Sequence, residues 1–449
     1  MPLRVMFADM NAYFASVEQQ ECPQLRGRPV VIVPVLAEST GCIAVSREAK
    51  RLGIKGGTHV TVARQMCRDL RVVKARPQVY VAYHHRIRKA IETCLPIGAR
   101  ESIDEFWCPL SDLEREPEPA IALARQVKQA IKERVGQYIT CSIGLAPNRF
   151  LGKVASDMQK PDGLTVITEN DLPHKLHSLM LEDFPGIAKR MHARLQHHGI
   201  ETAEQLCAAS RKQLIKVWGG VVGEYWWHWL RGDQTHSPPT RRQTIGHSHV
   251  LPPWLRTNDG AKSILNKLIH RAALRLRKER YWARSMEIYI AYTYHEEGWR
   301  TDVPLGMCQD TLTMIQAMEA VWPFRPAMAR PTQVAITLHG LIPDAYATLP
   351  LFPEERQRVQ LARVMDAINE RLGHNMVYVA GLASSKEEAP TRISFNQLPD
   401  EDDPDFEDAP TREIICGAGS PSRGTTSRTS RSPSSKGFAG RNPTAVWPD

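Results

Sequence analysis

The stretch LRVMFADMNAYFASVEQQ (Leu3–Gln20) constrains the fold more than any other part of the chain. Its opening segment, Leu3 to Ala8, is nearly all apolar, which is typical of a central strand covered on both faces. The run stops at the carboxylate of Asp9, and Asn11 to Gln20 then has the pattern of a helix. This order predicts a buried strand that delivers an acidic side chain to the edge of a sheet.

The segments that follow predict a mixed sheet with helices, in a unit that ends near Val166. The pair Asp104-Glu105 interrupts one apolar strand, Glu101–Leu110. Two more strands are predicted at Pro29–Val35 and Tyr138–Leu145. Helices are predicted at Ser46–Leu52, Val79–Cys94, Ala120–Val135 and Asn148–Met158.

The second half of the chain predicts two further units and a tail. Leu181 to Asp233 is helical in pattern and rich in tryptophan towards its end. After the basic linker Thr240–Arg242, a basic helix (Ala261–Arg280) precedes alternating strands such as SMEIYIAY and TQVAITLH, up to about Leu341. Beyond Pro399 an acidic run gives way to a Ser/Arg/Gly/Pro-rich tail, which lacks the apolar content to offset the entropy of ordering and is expected to be disordered.

Composition sets limits on the class of protein. The chain has 449 residues, 42% hydrophobic and 24% charged, so several globular domains are expected. Its net charge of +9 suits a nucleic-acid partner, but a well-solvated basic surface would have the same charge. Nine cysteines without CxxC pairs or zinc spacing indicate reduced thiols. Without a signal peptide or membrane span, a soluble cytoplasmic protein is expected.

Asp9, Asp104 and Glu105 are the candidate reactive groups. Charges are costly in a core unless they are paired or bound to metal. Carboxylates at the strand edges of one sheet could converge on Mg²⁺, which prefers oxygen ligands, and phosphoryl transfer uses such an arrangement. The alternative, that they are solvent-facing turn residues, stays open on these residues alone.

Three longer segments carry a family resemblance. FADMNAYFASVEQ (Phe7–Gln19), SIDEFW (Ser102–Trp107) and SIGLAPNRFLGKVASDMQKPDG (Ser142–Gly163) resemble the signature segments of Y-family translesion DNA polymerases, in the family's order and at its approximate spacing. The resemblance extends from about Pro2 to Leu382. The EAKRLGIKGG stretch and Asn11 look closer to the bacterial UmuC-like branch than to the DinB-like branch.

The resemblance implies an α/β multidomain right-hand polymerase that is template-directed and error-prone. Such an enzyme extends a primer 3′-hydroxyl with dNTPs by two-metal nucleotidyl transfer and releases pyrophosphate. The implied units are a palm with a mixed sheet (residues 1–12 and 75–165), small fingers (13–74), a helical thumb with a helix-hairpin-helix (166–235), an α+β little finger (241–345), a clamp-binding peptide with a UmuC-like segment (346–395) and a disordered tail (396–449).

The resemblance also implies roles for single residues at the reactive centre. Asp9, Asp104 and Glu105 would ligate two Mg²⁺ ions, with the Met10 carbonyl completing one site. Lys160 would reach the incoming triphosphate, and Phe14 matches the steric-gate position, although by itself it is an ordinary packing aromatic.

The fingers segment departs from the family pattern. Arg47 and Lys50 stand where many members carry a Tyr and an Arg that bind the triphosphate. Both are cationic, so phosphate binding is still expected, but the Tyr hydroxyl and the bidentate guanidinium are lost at their usual positions.

Further segments imply contacts with DNA. FPGIAKRMHARLQHHGI (Phe184–Ile200) resembles a helix-hairpin-helix, in which Gly186, Ile187 and Lys189 would meet a DNA phosphate. Charge for backbone contacts in the little finger is expected from a basic stripe as a whole. The stripe consists of Arg241, Arg242, Lys262, Lys267, Arg271, Arg275, Arg277 and Lys278.

The segment Thr348–Phe352 resembles the short peptide with which bacterial polymerases dock on the sliding clamp. Leu349, Leu351 and Phe352 would contact the clamp (beta subunit), with Thr348 in place of the usual Gln. A buried loop ending is the alternative. The expected partners are primer-template DNA, dNTPs and the clamp, in a monomeric, nucleoid-associated protein without membrane contact. Two other functions stay open: a non-catalytic clamp adaptor, and a helix-hairpin-helix DNA-binding protein without enzymatic activity.

Overall fold

The computed structural model describes residues 2–380 apart from residues 39, 101, 236–241, 294–297, 327–328, 349 and 374–375. The predicted DNA contact Arg241, the predicted clamp contact Leu349 and the predicted disordered tail (396–449) lie outside the described residues.

The described strands and helices follow one another along the chain within these limits. The strands are β1 Val5–Met10, β2 Val30–Val33, β3 Ala44–Val45, β4 Arg71–Lys74, β5 Ala99–Arg100, β6 Glu105–Pro109, β7 Cys141–Ala146, β8 Leu164–Val166, β9 Ile245–Val250, β10 Tyr281–Tyr292, β11 Trp299–Cys308, β12 Pro331–His339 and β13 Ile342–Pro343. The helices are α1 Tyr13–Glu21, α2 Arg47–Arg51, α3 Val60–Met66, α4 Pro77–Glu92, α5 Pro117–Arg134, α6 Arg149–Met158, α7 Lys189–His197, α8 Ala203–Ala208, α9 Arg211–Trp218, α10 Val221–Trp229, α11 Asn258–Lys278, α12 Thr311–Val321 and α13 Pro353–Leu372.

The first sheet has the order β5-β6-β1-β7-β8, with the fully buried strand β1 at its centre. Strand β1 is antiparallel to β6 and β7, whereas β7 and β8 are parallel, so the predicted mixed sheet is confirmed. Successive side chains of a strand point to opposite faces. Helix α4 covers the face of Phe106, on which His84 stacks with a centroid distance of 4.8 Å, and α6 covers the face of Phe7.

Helix α6 lies unusually close to the sheet because two glycines face each other at the contact. A Cβ on Gly144 of β7 would lie 2.1 Å from the carbonyl oxygen of Gly152 in α6, and a Cβ on Gly152 would lie 3.1 Å from the Cβ of Phe7. Only residues without a side chain allow this approach. The close contact brings the polar face of α6 onto the end of β1.

The strand predicted at Glu101–Leu110 is shorter than expected, because it begins at Glu105. The hydroxyl of Ser102 donates a hydrogen bond to Asp104 Oδ1 (2.5 Å) and accepts one from the Asp104 N–H (3.4 Å). Such a local side-chain turn competes with strand pairing. The two acids therefore lie at the beginning of β6 and do not interrupt a longer strand.

Two smaller layers follow the predicted pattern. Strands β3, β2 and β4 form a three-stranded sheet, and helices α7 to α10 pack on a core that includes Phe184, Leu195 and Trp226. The predicted helical stretch from Leu181 is therefore confirmed in outline.

The third unit is a sheet in the order β11-β10-β12-β9, with α11 and α12 against one face. The predicted basic helix and alternating strands are confirmed. Helix α13 is anchored to this unit because Arg277 of α11 forms a two-bond ion pair with Asp366 (2.5 and 2.8 Å). The Arg277 side chain is only 6% exposed. Arg277 is therefore a poorly available member of the predicted basic stripe, since its charge is paired inside the protein, and the stripe as a whole stays a prediction.

No helix among the described residues combines the length and the apolar character needed to cross a bilayer. Eight cysteines lie in the described part of the chain and all of them are free thiols there.

Candidate active site

The end of β1 and the beginning of β6 bring the three predicted carboxylates together. Asp9 lies directly opposite Glu105 in the antiparallel register, so both side chains point to the face that α6 covers. The main-chain N–H of Met10 donates to the carbonyl oxygen of Asp104 at 2.9 Å, which fixes the third acid beside the same strand end. The sheet register thus joins residues that are almost one hundred positions apart in the sequence.

Asp104 has an unusual electrostatic environment. Burial raises the pKa of its carboxyl, the hydroxyl of Ser102 opposes that shift, and the nearby charges of Asp9 and Glu105 raise the pKa further, to about 6. The charge of Lys153 partly opposes this rise in pKa, and the carboxyl of Asp104 still loses its proton less readily than that of an exposed aspartate.

Two lysine ammonium groups occupy the space between these acids. Lys153 Nζ contacts Asp9 and lies 2.7 Å from Glu105. Lys160 Nζ lies 2.9 Å from the same Asp9 carboxylate. Burial would lower the pKa of Lys153, but the surrounding carboxylates raise it above its ordinary value. The predicted triphosphate ligand Lys160 is thus beside the acids.

The arrangement differs from a bare trio of metal ligands. Across the described ranges of the chain, no three His, Cys, Asp or Glu side chains converge as a metal-binding group. The ammonium of Lys153 lies between the carboxylates of Asp9 and Glu105. The donor atoms are nevertheless all oxygens, which suits a hard divalent cation, and the bound ammonium groups show that this pocket accommodates positive charge.

Asn11 ties the acidic strand end to the turn after α6. Its side-chain amide donates to Ser142 Oγ (3.0 Å) and to the carbonyl oxygen of Asp9 (3.2 Å), and its Oδ1 accepts the N–H of Asp162. Ala12 and Asp162 both adopt positive φ (48° and 60°), so each end of this link is a tight, left-handed backbone position. The link holds the segment that carries Lys160 against β1.

The predicted gate Phe14 lies on α1 and is partly exposed. Its ring stacks on Tyr80 with a centroid distance of 4.4 Å and an interplanar angle of 12°. The hydroxyl of Tyr80 donates to Glu18 (2.8 Å), and Arg76 donates to both oxygens of that carboxylate. A buried, hydrogen-bonded network therefore fixes the ring beneath Phe14.

Arg47 and Lys50 lie on α2, which Ser46 caps by accepting the N–H of Ala49 at 3.3 Å. The guanidinium of Arg47 donates to the hydroxyl of Thr140, which precedes β7. Much of the Lys50 residue is exposed to solvent. Partial burial of its ammonium and the nearby charge of Lys160 nevertheless lower the pKa of that group. Lys50 therefore lies near Lys160, Asp9 and Arg47.

The predicted helix-hairpin-helix turn has the expected backbone. Gly186 has φ +97°, a conformation that favours glycine, and the N–H of Ile187 donates back to Phe184 at 3.0 Å. Helix α7 follows without a side-chain cap and without an acidic residue in its first turn, which carries Lys189 instead. A cation at this end opposes the helix dipole unless an anion binds there.

Half of the basic stripe of the third unit is paired with acids of the same chain, Arg277 included. Arg242 lies 2.7 Å from Glu279, and Arg275 lies 2.8 Å from the same carboxylate. Lys262 lies 3.1 Å from Glu319. The positive charge available to DNA on this helix is therefore smaller than the sequence indicates.

The predicted clamp peptide has an exposed end. The Leu351 side chain is 79% exposed and that of Phe352 is 63% exposed. The alternative of a buried loop ending is therefore wrong for these two residues. Arg356 of α13 donates to the carbonyl oxygen of Pro350 at 2.6 Å and so ties the peptide to the helix that follows.

Lys153, Asp157 and Asn11 are residues of this centre to which the sequence analysis assigned no role. Lys153 and Asp157 are four positions apart in the predicted helix, a spacing that places both on one helical face. That spacing was the available signal. Their contact with β1 and β6 depends on how α6 packs, which the sequence does not state.

Comparison with known proteins places this geometry in a family. Residues 8–157 match the impB/mucB/samB family model, and residues 242–351 match the model of the C-terminal domain of the same family. The DNA polymerase IV of Moorella thermoacetica is 34% identical over 391 residues, which cover 84% of this chain and 95% of that protein. The DNA polymerase IV of Pelotomaculum thermopropionicum is 29% identical over 384 residues, or 83% of this chain and 94% of that protein.

A solved structure agrees with this similarity. A chimeric Y-family DNA polymerase superimposes with a TM-score of 0.62 at 25% identity, over 76% of this chain and 99% of its own. The relatives named DNA polymerase IV favour the DinB-like branch over the UmuC-like branch indicated by Asn11 and the EAKRLGIKGG stretch. The chain therefore belongs to the DinB-like branch of the Y family of DNA polymerases, as a metal-dependent, DNA-directed DNA polymerase of translesion synthesis.

Proposed function

We propose that Asp9, Asp104 and Glu105, with the main-chain carbonyl of Met10, hold the two Mg²⁺ ions of nucleotidyl transfer. One observation carries the proposal: the β1–β6 register sets Asp9 opposite Glu105 and the Met10 N–H draws Asp104 to the same strand end. The metal supplies activation of a primer 3′-hydroxyl and neutralisation of charge on the leaving pyrophosphate. The protein's part is to orient the carboxylates and to hold them in a partly buried site.

The incoming triphosphate is assigned to Lys160, Arg47 and Lys50. Their proximity supports this assignment, because Lys50 lies near both Lys160 and Arg47. The guanidinium of Arg47 is held by Thr140, which precedes β7. Arg47 offers a planar set of donors and each lysine a compact point charge. Arg47 and Lys50 stand in place of the Tyr and Arg of the family pattern, so with Lys160 three cations would face the triphosphate.

Phe14 is proposed as the steric gate against ribonucleotides. Its stacking on Tyr80, which Glu18 and Arg76 hold in place, supports a rigid floor beneath the incoming sugar. A rigid ring at that position leaves no room for a 2′-hydroxyl.

The remaining units are proposed to hold DNA. The palm would comprise residues 1–12 and 75–165, the fingers 13–74, the thumb 166–235 and the little finger 241–345. Gly186, Ile187 and Lys189 would present the uncapped start of α7 to a backbone phosphate. Arg242 would contribute positive charge once DNA replaces Glu279 as its partner. Arg241 is assigned to DNA binding from the sequence alone.

Residues 346–395 are proposed to dock on the sliding clamp through Leu349, Leu351 and Phe352. The exposure of the last two side chains supports this role, since apolar side chains in water gain by entering a preformed pocket. We also propose that the protein is a monomer and that it acts in the cytoplasm on nucleoid DNA.

Primer extension with Mg²⁺ and the four dNTPs tests the catalytic assignment. The double variant Asp104→Ala/Glu105→Ala should lose extension by a factor of about a thousand or more, because several kcal/mol of charge stabilisation depend on the metal. The control is Asp112→Ala/Glu118→Ala, which removes two exposed acids of the same unit and should extend as wild type does. Equal extension by both double variants would show that the assignment is wrong.

A further inference from the structure

Lys153 is rooted on α6 at the point where that helix lies closest to the sheet. The neighbouring residue Gly152 packs against Phe7 and Gly144, so the helix cannot move away from β1 without losing that contact. From this fixed base the ammonium contacts Asp9 and lies 2.7 Å from Glu105.

The ammonium compensates a repulsion that the sheet register creates. Carboxylates directly opposite each other in an antiparallel pair destabilise the sheet when both are ionised. Asp9 and Glu105 occupy such a pair, and Asp104 is bonded to the same strand end. The charge of Lys153, which contacts both carboxylates, offsets the repulsion between them, and Lys160 adds a second charge beside Asp9.

A second acceptor for this ammonium lies one helical turn further on. Asp157 Oδ2 is 3.3 Å from Lys153 Nζ, and Asp157 Oδ1 is 2.6 Å from Lys160 Nζ. Both lysines are therefore shared between a carboxylate of the sheet and one of the helix. A flexible ammonium needs only rotations about its side-chain bonds to move from one set of oxygens to the other.

We propose that Lys153 is a built-in counter-ion of the acidic centre, which competes with the divalent metal for Asp9 and Glu105, and that Asp157 receives its ammonium when the metal enters. The proposal rests on the proposed function of these acids as metal ligands. Lys153 is in this sense a positioning residue: it keeps the carboxylates paired in the metal-free protein and sets how tightly a metal binds.

The counter-ion proposal is tested by measuring the affinity of the full-length protein for Mn²⁺ with electron paramagnetic resonance, in the absence of DNA and dNTP. Lys153→Met keeps the length of the side chain and removes its charge, so Mn²⁺ should bind roughly tenfold more tightly, given the strength of a unit charge about 4 Å away. Asp157→Asn should weaken Mn²⁺ binding, because the ammonium then has only the acids of the sheet to bind. Lys175→Met, which removes a lysine paired with Asp171 away from these acids, should leave Mn²⁺ binding unchanged.

The proposal requires that Lys153→Met binds Mn²⁺ more tightly than wild type and that Asp157→Asn binds it more weakly. If Lys153→Met binds Mn²⁺ with wild-type or weaker affinity, or if Asp157→Asn binds it as tightly as wild type, the counter-ion proposal is overturned. The Asp157→Asn measurement decides the matter alone should Lys153→Met not fold. The proposed metal site is tested separately by Asp104→Ala/Glu105→Ala: if that variant binds Mn²⁺ as wild type does, the assignment of the acids fails, whatever the lysine variants do.

Discussion

Helix α6 on the first sheet and helix α11 on the sheet of the third unit both carry a cation that pairs with carboxylates, but these carboxylates are of different kinds. Lys153 of α6 and Lys160, in the turn after that helix, share carboxylates that we propose as metal ligands. On α11, Arg277 is held by both oxygens of Asp366, a residue of α13 that we assign to no ligand. In our proposal the first pairing is exchangeable, whereas the second is a permanent structural tie, so the presence of an ion pair does not by itself show whether the pair has a function.

The largest effect on stability is expected where α6 approaches the sheet. Gly144→Ala would place a Cβ 2.1 Å from the Gly152 carbonyl oxygen, so α6 must shift away from β7. We expect a loss of about 3 kcal/mol or more in the free energy of unfolding, measured with urea. Mn²⁺ binding should weaken with it, since Lys153 and Asp157 move with the helix.

Gly56→Ala provides the matched control, because a Cβ there meets nothing within 4 Å. It should unfold at the wild-type urea concentration. Wild-type stability of Gly144→Ala would contradict the close contact.

The permanent tie is tested by Arg277→Ala, which leaves Asp366 without its partner. We expect a loss of about 2–3 kcal/mol, somewhat below the cost of breaking a fully buried pair, because Asp366 is partly exposed. Arg275→Ala removes a neighbouring cation of the same helix whose pair with Glu279 is nearer the surface, and it should cost at most about 0.5 kcal/mol. Equal losses in the two variants would show that Arg277 is no more structural than Arg275.

The proposed gate rests on a second structural tie, the Glu18–Arg76 pair, which holds Tyr80 beneath Phe14. Phe14→Ala removes the ring that this network supports, and incorporation of ribonucleotides relative to deoxynucleotides should rise about 10- to 100-fold. Phe14→Leu, which keeps part of the bulk, should lie in between. If Phe14→Ala leaves the ratio of ribonucleotide to deoxynucleotide incorporation unchanged in single-nucleotide extension, Phe14 is not the steric gate.

The smallest effect is expected at the hydroxyl that orients Arg47. Thr140→Val keeps the shape of the side chain and removes the acceptor of the guanidinium. One hydrogen bond is worth about 0.5–1.5 kcal/mol, so the KM for dNTPs should rise roughly two- to tenfold with little change in kcat. A large fall in kcat at constant KM would instead assign Thr140 a role in the chemical step.

Much of the first sheet could be predicted from the sequence, because strand β1 is a continuous apolar run that ends in an acid. The acids themselves were identified from their position at strand ends and from the family segments around them. The contact of Lys153 with Glu105 could not be predicted, since it depends on strand register and on the close approach of Gly144 and Gly152. The burial of Arg277 was missed for a similar reason: a basic helix looks solvated until the position of α13 is known.

The most direct test of the exchangeable pairing is a crystal structure with primer-template DNA, an incoming dNTP and Mn²⁺, located by its anomalous scattering. We expect Mn²⁺ bound by oxygens of Asp9, Asp104 and Glu105, with the Lys153 ammonium turned towards Asp157. Manganese bound away from these acids would contradict the metal site, and a Lys153 ammonium that still contacts Asp9 and Glu105 beside bound metal would contradict the exchange.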